Sequence, residues 1–246
     1  MNSNSSPASA GLAPSVAERL RRVSTATLTM VLLKRGVRTS WLRGVVPLRA
    51  MGSRVVGPAF TIRFVPGRED LSQPESYAKS PSFRDAIEAA PAGSVVVIDG
   101  RGNTLGATLG DILVARLAKR GVLAAVTDAP VRDAEEIAKL SLAVLSAGVA
   151  APPSIVGLTF AGYDEMIGCG GVAVCPGDIM VCDNDGAVVI PSSMAAEVAE
   201  AGVEQERFER FVQRRIGEGA SVVGLYPPDE ASREEYQRWL DAGEPE

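Results

Sequence analysis

SVVVIDGRGNTLGATLGDILVARLAKRGVLAAVT, residues 94–127, is the stretch whose reading decides the fold. Its opening β-branched run, residues 94–98, is short and bounded by turn residues, which predicts a buried strand. A glycine-rich segment follows over residues 99–111. A helical pattern then runs from Asp111 to Arg120, Gly121 offers a stop, and residues 122–127 predict a second buried strand. Downstream, residues 135–140 read as a helix and 143–145 as a third strand. Strand, helix, strand, helix, strand is the rhythm of an α/β layered fold.

Toward the N-terminus, residues 82–90 predict a short helix ended by Pro91-Ala92-Gly93. Residues 55–65 alternate as a strand or bent pair, with Gly57-Pro58 pointing to a bulge or an edge. Val16, Leu20, Val23, Leu28, Val31 and Leu32 recur near helical spacing and predict one helix over residues 15–35. The Ser/Pro/Ala-rich residues 1–14 lack a basic start and an apolar run, so they read as a disordered leader and not a signal peptide. Toward the C-terminus, residues 140–163 carry no charge, but Pro152-Pro153 and several Ser and Gly argue for a strand and loop instead of a membrane span. Residues 172–191 read as a three-stranded meander turned by Pro176-Gly177-Asp178 and Asp183-Asn184-Asp185-Gly186. Residues 194–215 form a charged amphipathic helix, and residues 225–246 an extension. No internal repeat is present.

Composition narrows the chemistry. The 246 residues, 46% hydrophobic and 22% charged, suit a single soluble domain with additions at its ends. The net charge of −5 implies no bulk attraction to nucleic acid or anionic lipid. From Ala196 onward there are 13 acidic and 6 basic residues, so the acidic bias is local to the tail and reads as a solvated helical face, with packing on a neighbouring subunit a further use. The chain has no histidine. That removes Ser-His-Asp and Cys-His-Asn catalysis and histidine metal sites at once. Lysine is confined to Lys34, Lys79, Lys119 and Lys139, so a Schiff base would have to use one of these. Cys169, Cys175 and Cys182 fit no CxxC pattern and read as small structural residues in a reducing, cytoplasmic compartment. Trp41 and Trp239 read as packing or interface residues, and Asp183 and Asp185 as hairpin residues rather than a calcium loop. The charged run Gly67-Arg68-Glu69-Asp70 reads as a mobile loop with no assigned role.

The densest polar information lies between Gly110 and Asp133. Gly110-Asp111 opens a helix whose first N–H groups, through about Leu113, have no intrahelical partners and can hold an anion. Arg132-Asp133 follows the next strand. In a parallel α/β layer the turns after successive strands share one sheet edge, so these groups are expected to converge around one cavity. Arginine and helix N–H groups suit a small carboxylate, and paired carboxylates suit a hard divalent cation. The bland alternative is a helix-start aspartate and a surface ion pair, because short Asp/Arg motifs recur by chance.

Gly110-Asp111-Ile112-Leu113, the twenty residues between Asp111 and Arg132, and the adjoining Asp133 form an Asp-x20-Arg-Asp motif. With Pro176–Pro191, PGDIMVCDNDGAVVIP, it resembles the RraA-like family, which includes the class II 4-hydroxy-4-methyl-2-oxoglutarate aldolases. The resemblance covers roughly Val16 to Gly224. It implies an α/β/β/α sandwich of the swivelling β/β/α type, a single domain over residues 15–224, assembled as trimers or hexamers with sites near subunit interfaces. It implies that Asp133 ligates Mg²⁺, Mn²⁺ or another divalent metal directly and that Arg132 holds a pyruvyl group. By the same likeness Asp111 acts catalytically through metal-bound water, and the backbone amides of Gly110, Asp111, Ile112 and Leu113 grip the carboxylate of a 2-oxo acid substrate. The implied reaction is metal-dependent cleavage of a 4-hydroxy-2-oxo acid to pyruvate, with oxaloacetate decarboxylation as a side activity. The chain departs from the family at Ala129-Pro130, where the aldolases carry Gly-Gly or a similar small pair.

Two other classes compete. Members of the family act as non-catalytic regulators of ribonuclease E and can lack the acid after the arginine, which this chain keeps as Asp133. The strand before Gly100-Arg101-Gly102-Asn103-Thr104-Leu105-Gly106 also sketches a dinucleotide fingerprint, but its spacing is GxGxxxG and no acidic residue closes a following strand at the expected distance.

Overall fold

The computed structural model describes residues 12–244. Ten strands order the chain: β1 Val46–Pro47, β2 Val55–Pro66, β3 Val95–Asp99, β4 Ala124–Thr127, β5 Ala143–Ser146, β6 Leu158–Tyr163, β7 Ile167–Cys169, β8 Val172–Val174, β9 Ile179–Asp183 and β10 Gly186–Ile190. The α-helices are α1 Pro14–Arg21, α2 Thr25–Leu33, α3 Phe83–Ala89, α4 Asp111–Lys119, α5 Ala134–Lys139, α6 Ala195–Gly217 and α7 Glu230–Asp241.

β2 organises everything else. Its first residues, Val55–Pro58, pair antiparallel with β9, and Ala59–Arg63 pair in parallel with β3. β3, β4 and β5 continue the parallel run, β1 closes one edge, β10 closes the other, and β6 adds to the far end of β2. Side chains alternate across each strand, so the run splits into two faces with separate cores. Phe60, Ile62, Val96, Ile98, Ala125 and Val144 face Ile87 of α3, Val114 and Leu117 of α4, and Ile137 of α5. On the other face Ala59, Val95, Val97, Ala124 and Val126 meet Met180, Cys182, Ala187 and Val189 of the β9–β10 hairpin. The outer face of that hairpin, Ile179, Val181, Val188 and Ile190, is covered by Leu20, Leu28, Leu32 and Val198 from α1, α2 and α6. Helix, sheet, sheet and helix therefore stack in four layers, as the sequence likeness implied.

Three details differ from expectation. The single helix over residues 15–35 is two helices, because Ser24 leaves the helical conformation and caps the second, accepting from Thr27 N. The three-stranded meander is divided: β8 pairs with β7 in a separate two-stranded sheet, and only β9 and β10 form a hairpin in the main sheet. The turn at Pro176–Asp178 redirects the chain toward β2, with Ala59 N donating to Asp178 O. Gly57-Pro58 lies in a stretch of β2 paired on one side only, to β9, just before β2 takes up β3; the bulge falls instead between Arg63 and Phe64.

Of the expected leader, residues 1–11 lie outside the described residues, and Pro14 already begins α1. The acidic tail is not merely solvated. Phe211 of α6 packs with Trp239 of α7, and with Val212 and Leu225 they form a core of their own. Among the described residues no helix is long and apolar enough to cross a membrane.

Candidate active site

The glycine-rich segment after β3 is an added edge more than a loop. Ala107 N donates to Pro152 O, Thr108 N to Pro130 O and Arg132 N to Leu109 O, while Val131 N reaches Gly148 O. Residues 107–109, 130–132 and 148–150 thus run side by side in parallel beyond the strand ends. This is why α4 opens beside Arg132.

The contact is tight. A Cβ built on Gly110 would lie 2.9 Å from Asp133 Oδ2 and 3.2 Å from Arg132 Cγ. Gly110 has φ −123°, so its lack of a side chain serves this close approach, not an unusual backbone. Asp133 does have an unusual backbone, in the left-handed region at φ 56°. Such residues cost about 1–3 kcal/mol and persist where the surroundings over-determine them. Here the Asp133 carbonyl accepts from Ile137 N to start α5, and its Oδ2 accepts from Arg132 Nε at 3.1 Å. Arg132 and Asp133 remain about two-fifths exposed.

Asp111 turns back on its own helix: Oδ1 accepts from Ile112 N at 2.8 Å. The first intrahelical bond is Val114 N to Gly110 O. The Asp111 and Leu113 N–H groups are left to bind an anion, and that of Ile112 is available once the Asp111 carboxylate rotates away. Gly110, Asp111, Ile112, Leu113, Arg132 and Asp133 are therefore brought together as expected. In one chain they form an open ledge, not a closed cavity, with exposed Ile112, Leu105 and Val149 on the surface nearby in sequence or pairing.

The donor set suits a hard divalent cation. Asp133 Oδ1 and Asp111 Oδ2 carry no hydrogen bond among the described residues, and Mg²⁺ binds through one or two carboxylates while keeping several waters. Among the described residues no group of three His, Cys, Asp or Glu forms a protein-only cage. No lysine is brought to this ledge: Lys139 pairs with Glu136, and Lys119 lies at the opposite end of α4.

Ala129 and Pro130 are both buried behind the ledge. Ala129 is fully buried, and its Cβ occupies the space a Cβ on Gly100 would need, 2.4 Å away. Two carboxylates that sequence reasoning passed over hold the neighbouring turns. Asp99 accepts from Arg101 N and Gly168 N, and Asp128 from Gly100 N and Gly170 N. Burial pushes the Asp99 carboxyl above the usual carboxylate range. Their signal was an aspartate closing each buried strand, VVVID and AVTD. Of the cysteines, Cys169 and Cys182 are buried, and burial raises the Cys182 thiol to about 12.

Comparison with known proteins gives a family and a fold. The family profile described as RraA-like (Aldolase/RraA) matches residues 22–189. Protein DlpA of Legionella pneumophila is 26% identical over 233 residues, covering 92% of this chain; this chain spans only 35% of that protein's length. A Halalkalibacterium halodurans protein, provisionally named 4-hydroxy-4-methyl-2-oxoglutarate aldolase, is 28% identical over 70% of this chain and 77% of its own. The crystal structure of Streptomyces coelicolor RraAS2, described as an unusual member of the RNase ES inhibitor RraA protein family, superposes with a TM-score of 0.74 at 32% identity, covering 82% of this chain and 98% of that one.

Proposed function

We propose a function from one premise, that the chain belongs to the RraA-like (Aldolase/RraA) family: it is a divalent-metal-dependent aldolase that cleaves a 4-hydroxy-2-oxo acid, such as 4-hydroxy-4-methyl-2-oxoglutarate, to pyruvate. The observation that carries this reading is the closure of Gly110 onto Asp133 and Arg132, which joins an anion-binding helix mouth, a guanidinium and two carboxylates with free oxygens.

Asp133 would hold the cation directly and Asp111 through water. The cation, Mg²⁺ or Mn²⁺, supplies Lewis-acid polarisation of the 2-oxo group. The N–H groups at the mouth of α4 receive the substrate C1 carboxylate. Asp111, acting through a water, takes the proton of the C4 hydroxyl; the C3–C4 bond breaks, the C4 fragment leaves as a carbonyl compound, and its electron pair passes into the enolate of pyruvate. Arg132 faces the developing enolate oxygen, an electrostatic contribution worth about 3 kcal/mol for one well-placed donor. Protonation at C3 gives pyruvate. Oxaloacetate passes through the same enolate on losing carbon dioxide and is the expected side substrate. Exposed Leu105, Ile112 and Val149 support completion of the site by a second copy in a trimer or hexamer.

The test is pyruvate release from oxaloacetate and from 4-hydroxy-4-methyl-2-oxoglutarate with Mg²⁺. EDTA abolishes it, and Arg132→Ala and Asp133→Ala each lower kcat/KM by at least about 100-fold. Undiminished turnover in both variants defeats the reading. Borohydride with pyruvate traps no adduct, as expected where no lysine reaches the site. A second reading, regulation of an RNase E-type ribonuclease without catalysis, is favoured by the likeness to RraAS2. Ribonuclease inhibition by an Asp133→Ala variant devoid of aldolase activity would support it.

A further inference from the structure

Between β2 and α3 the chain runs through residues 67–82 with one 3₁₀ turn, Pro74–Ala78, as its only regular element. Connections longer than about 12–15 residues without elements of their own are uncommon in compact domains and are commonly lids or binding loops. This one is stitched down at its start, where Gly67 N donates to Gly157 O, Arg68 N to Thr159 Oγ1 and Ser72 Oγ to Leu158 O. Its middle is held by Arg84, which donates to Tyr77 O at 2.9 Å and lies over the Tyr77 ring.

Beneath this loop lies a cavity of about 210 Å³. Its floor is aromatic: Phe64 meets Phe83 and Phe160 edge-on, with centroids 5.1 and 5.9 Å apart. Its rim is polar and carries Tyr77, Ser154 and Lys79. The Lys79 ammonium has no hydrogen bond or ion pair among the described residues, whereas Arg68 and Asp70 pair with each other and Asp85 accepts from Ser82 N. None of the aldolase ledge residues lines this cavity.

The cavity is partly open to solvent, so a small ligand can reach it under the fastened loop. Size and chemistry select an occupant. A cavity of about 150 Å³ takes a benzene ring, so this one has room for a ring and a small polar group. A ring fits the phenylalanine floor. A single negative charge fits the unpaired ammonium at the rim.

We propose that this cavity binds a small aromatic monocarboxylate of benzoate to phenylacetate size, its ring on Phe64, Phe83 and Phe160 and its carboxylate at Lys79, with the Tyr77 hydroxyl as a second donor. The site stands apart from the aldolase ledge and does not depend on the reaction proposed there.

The experiment titrates the full chain with benzoate, phenylacetate, benzyl alcohol and acetate, read by calorimetry and ligand-observed NMR. Both aromatic acids bind saturably at one site per chain, and benzyl alcohol and acetate bind at least tenfold more weakly. Lys79→Met weakens benzoate at least tenfold, leaves benzyl alcohol within twofold, and is rescued by Lys79→Arg. Ser76→Phe, which fills the cavity, loses both ligands while circular dichroism and the melting profile show a folded chain. Arg132→Ala leaves benzoate binding unchanged. Acetate binding as tightly as benzoate, benzoate affinity indifferent to Lys79→Met or lost in Arg132→Ala, or absence of saturable benzoate binding by the wild-type chain overturns the proposal.

Discussion

Single atoms decide the ledge. Because a Cβ at position 110 would stand 2.9 Å from Asp133 Oδ2, Gly110→Ala has to displace the carboxylate or its arginine. Both are surface side chains with room to swing, so the fold tolerates the change. The proposed reaction would not: a displacement of about 1 Å can cost about 100-fold in rate. Gly110→Ala is expected to retain its melting temperature within a few degrees while kcat/KM for oxaloacetate falls about 100-fold. The approach of the α4 start to Arg132 and Asp133 was legible in sequence because strand-end turns in a parallel layer share an edge. Its details were not. Nothing in the string of letters says that Asp111 folds back on Ile112 N, or that Asp133 adopts a left-handed backbone, since both depend on through-space neighbours.

Among elements, the parallel strands β3, β4 and β5 and the helices between them were legible from their apolar runs and turn residues. The break between α1 and α2 was hidden because apolar residues recur at helical spacing straight through it. What imposes the break is remote in sequence: Asp183, in β9, accepts from both Thr25 N and Thr25 Oγ1, and Arg54 lies 3.5 Å from the same carboxylate. Asp183→Ala would strip the start of α2 of these acceptors and leave buried donors without partners. The expected loss is about 2–4 kcal/mol, measured by urea unfolding, with Asp183→Asn falling between the two. The division of residues 172–191 was equally invisible, because alternation says that strands exist but not which strands pair.

At the scale of the whole molecule, the start of α6 belongs to the core over the β9–β10 hairpin, whereas its far half and α7 hold a separate one. Trp239 anchors α7 to Phe211 of α6 with centroids 5.7 Å apart, and α7 lies outside residues 22–189. Trp239→Ala is expected to release α7 to proteolysis and to cost about 3 kcal/mol locally, while the main unfolding transition of the four-layer domain stays close to wild type. Differential scanning calorimetry with limited proteolysis separates the two. Light scattering on the eluting protein is expected to give a mass of three or six chains, and Ile112→Arg, at the exposed edge of the ledge, to shift it toward one.

β2 belongs to both sheets, and its first four residues wait for β9, more than a hundred positions downstream. A ribosome making this protein from its N-terminus therefore finishes β2, β3, β4 and β5 well before the hairpin that covers their inner face. Until Ile190 has cleared the exit tunnel, Ala59, Val95, Val97 and Val126 lack the hairpin's share of their cover, and a partly formed chain of this kind exposes apolar surface prone to association.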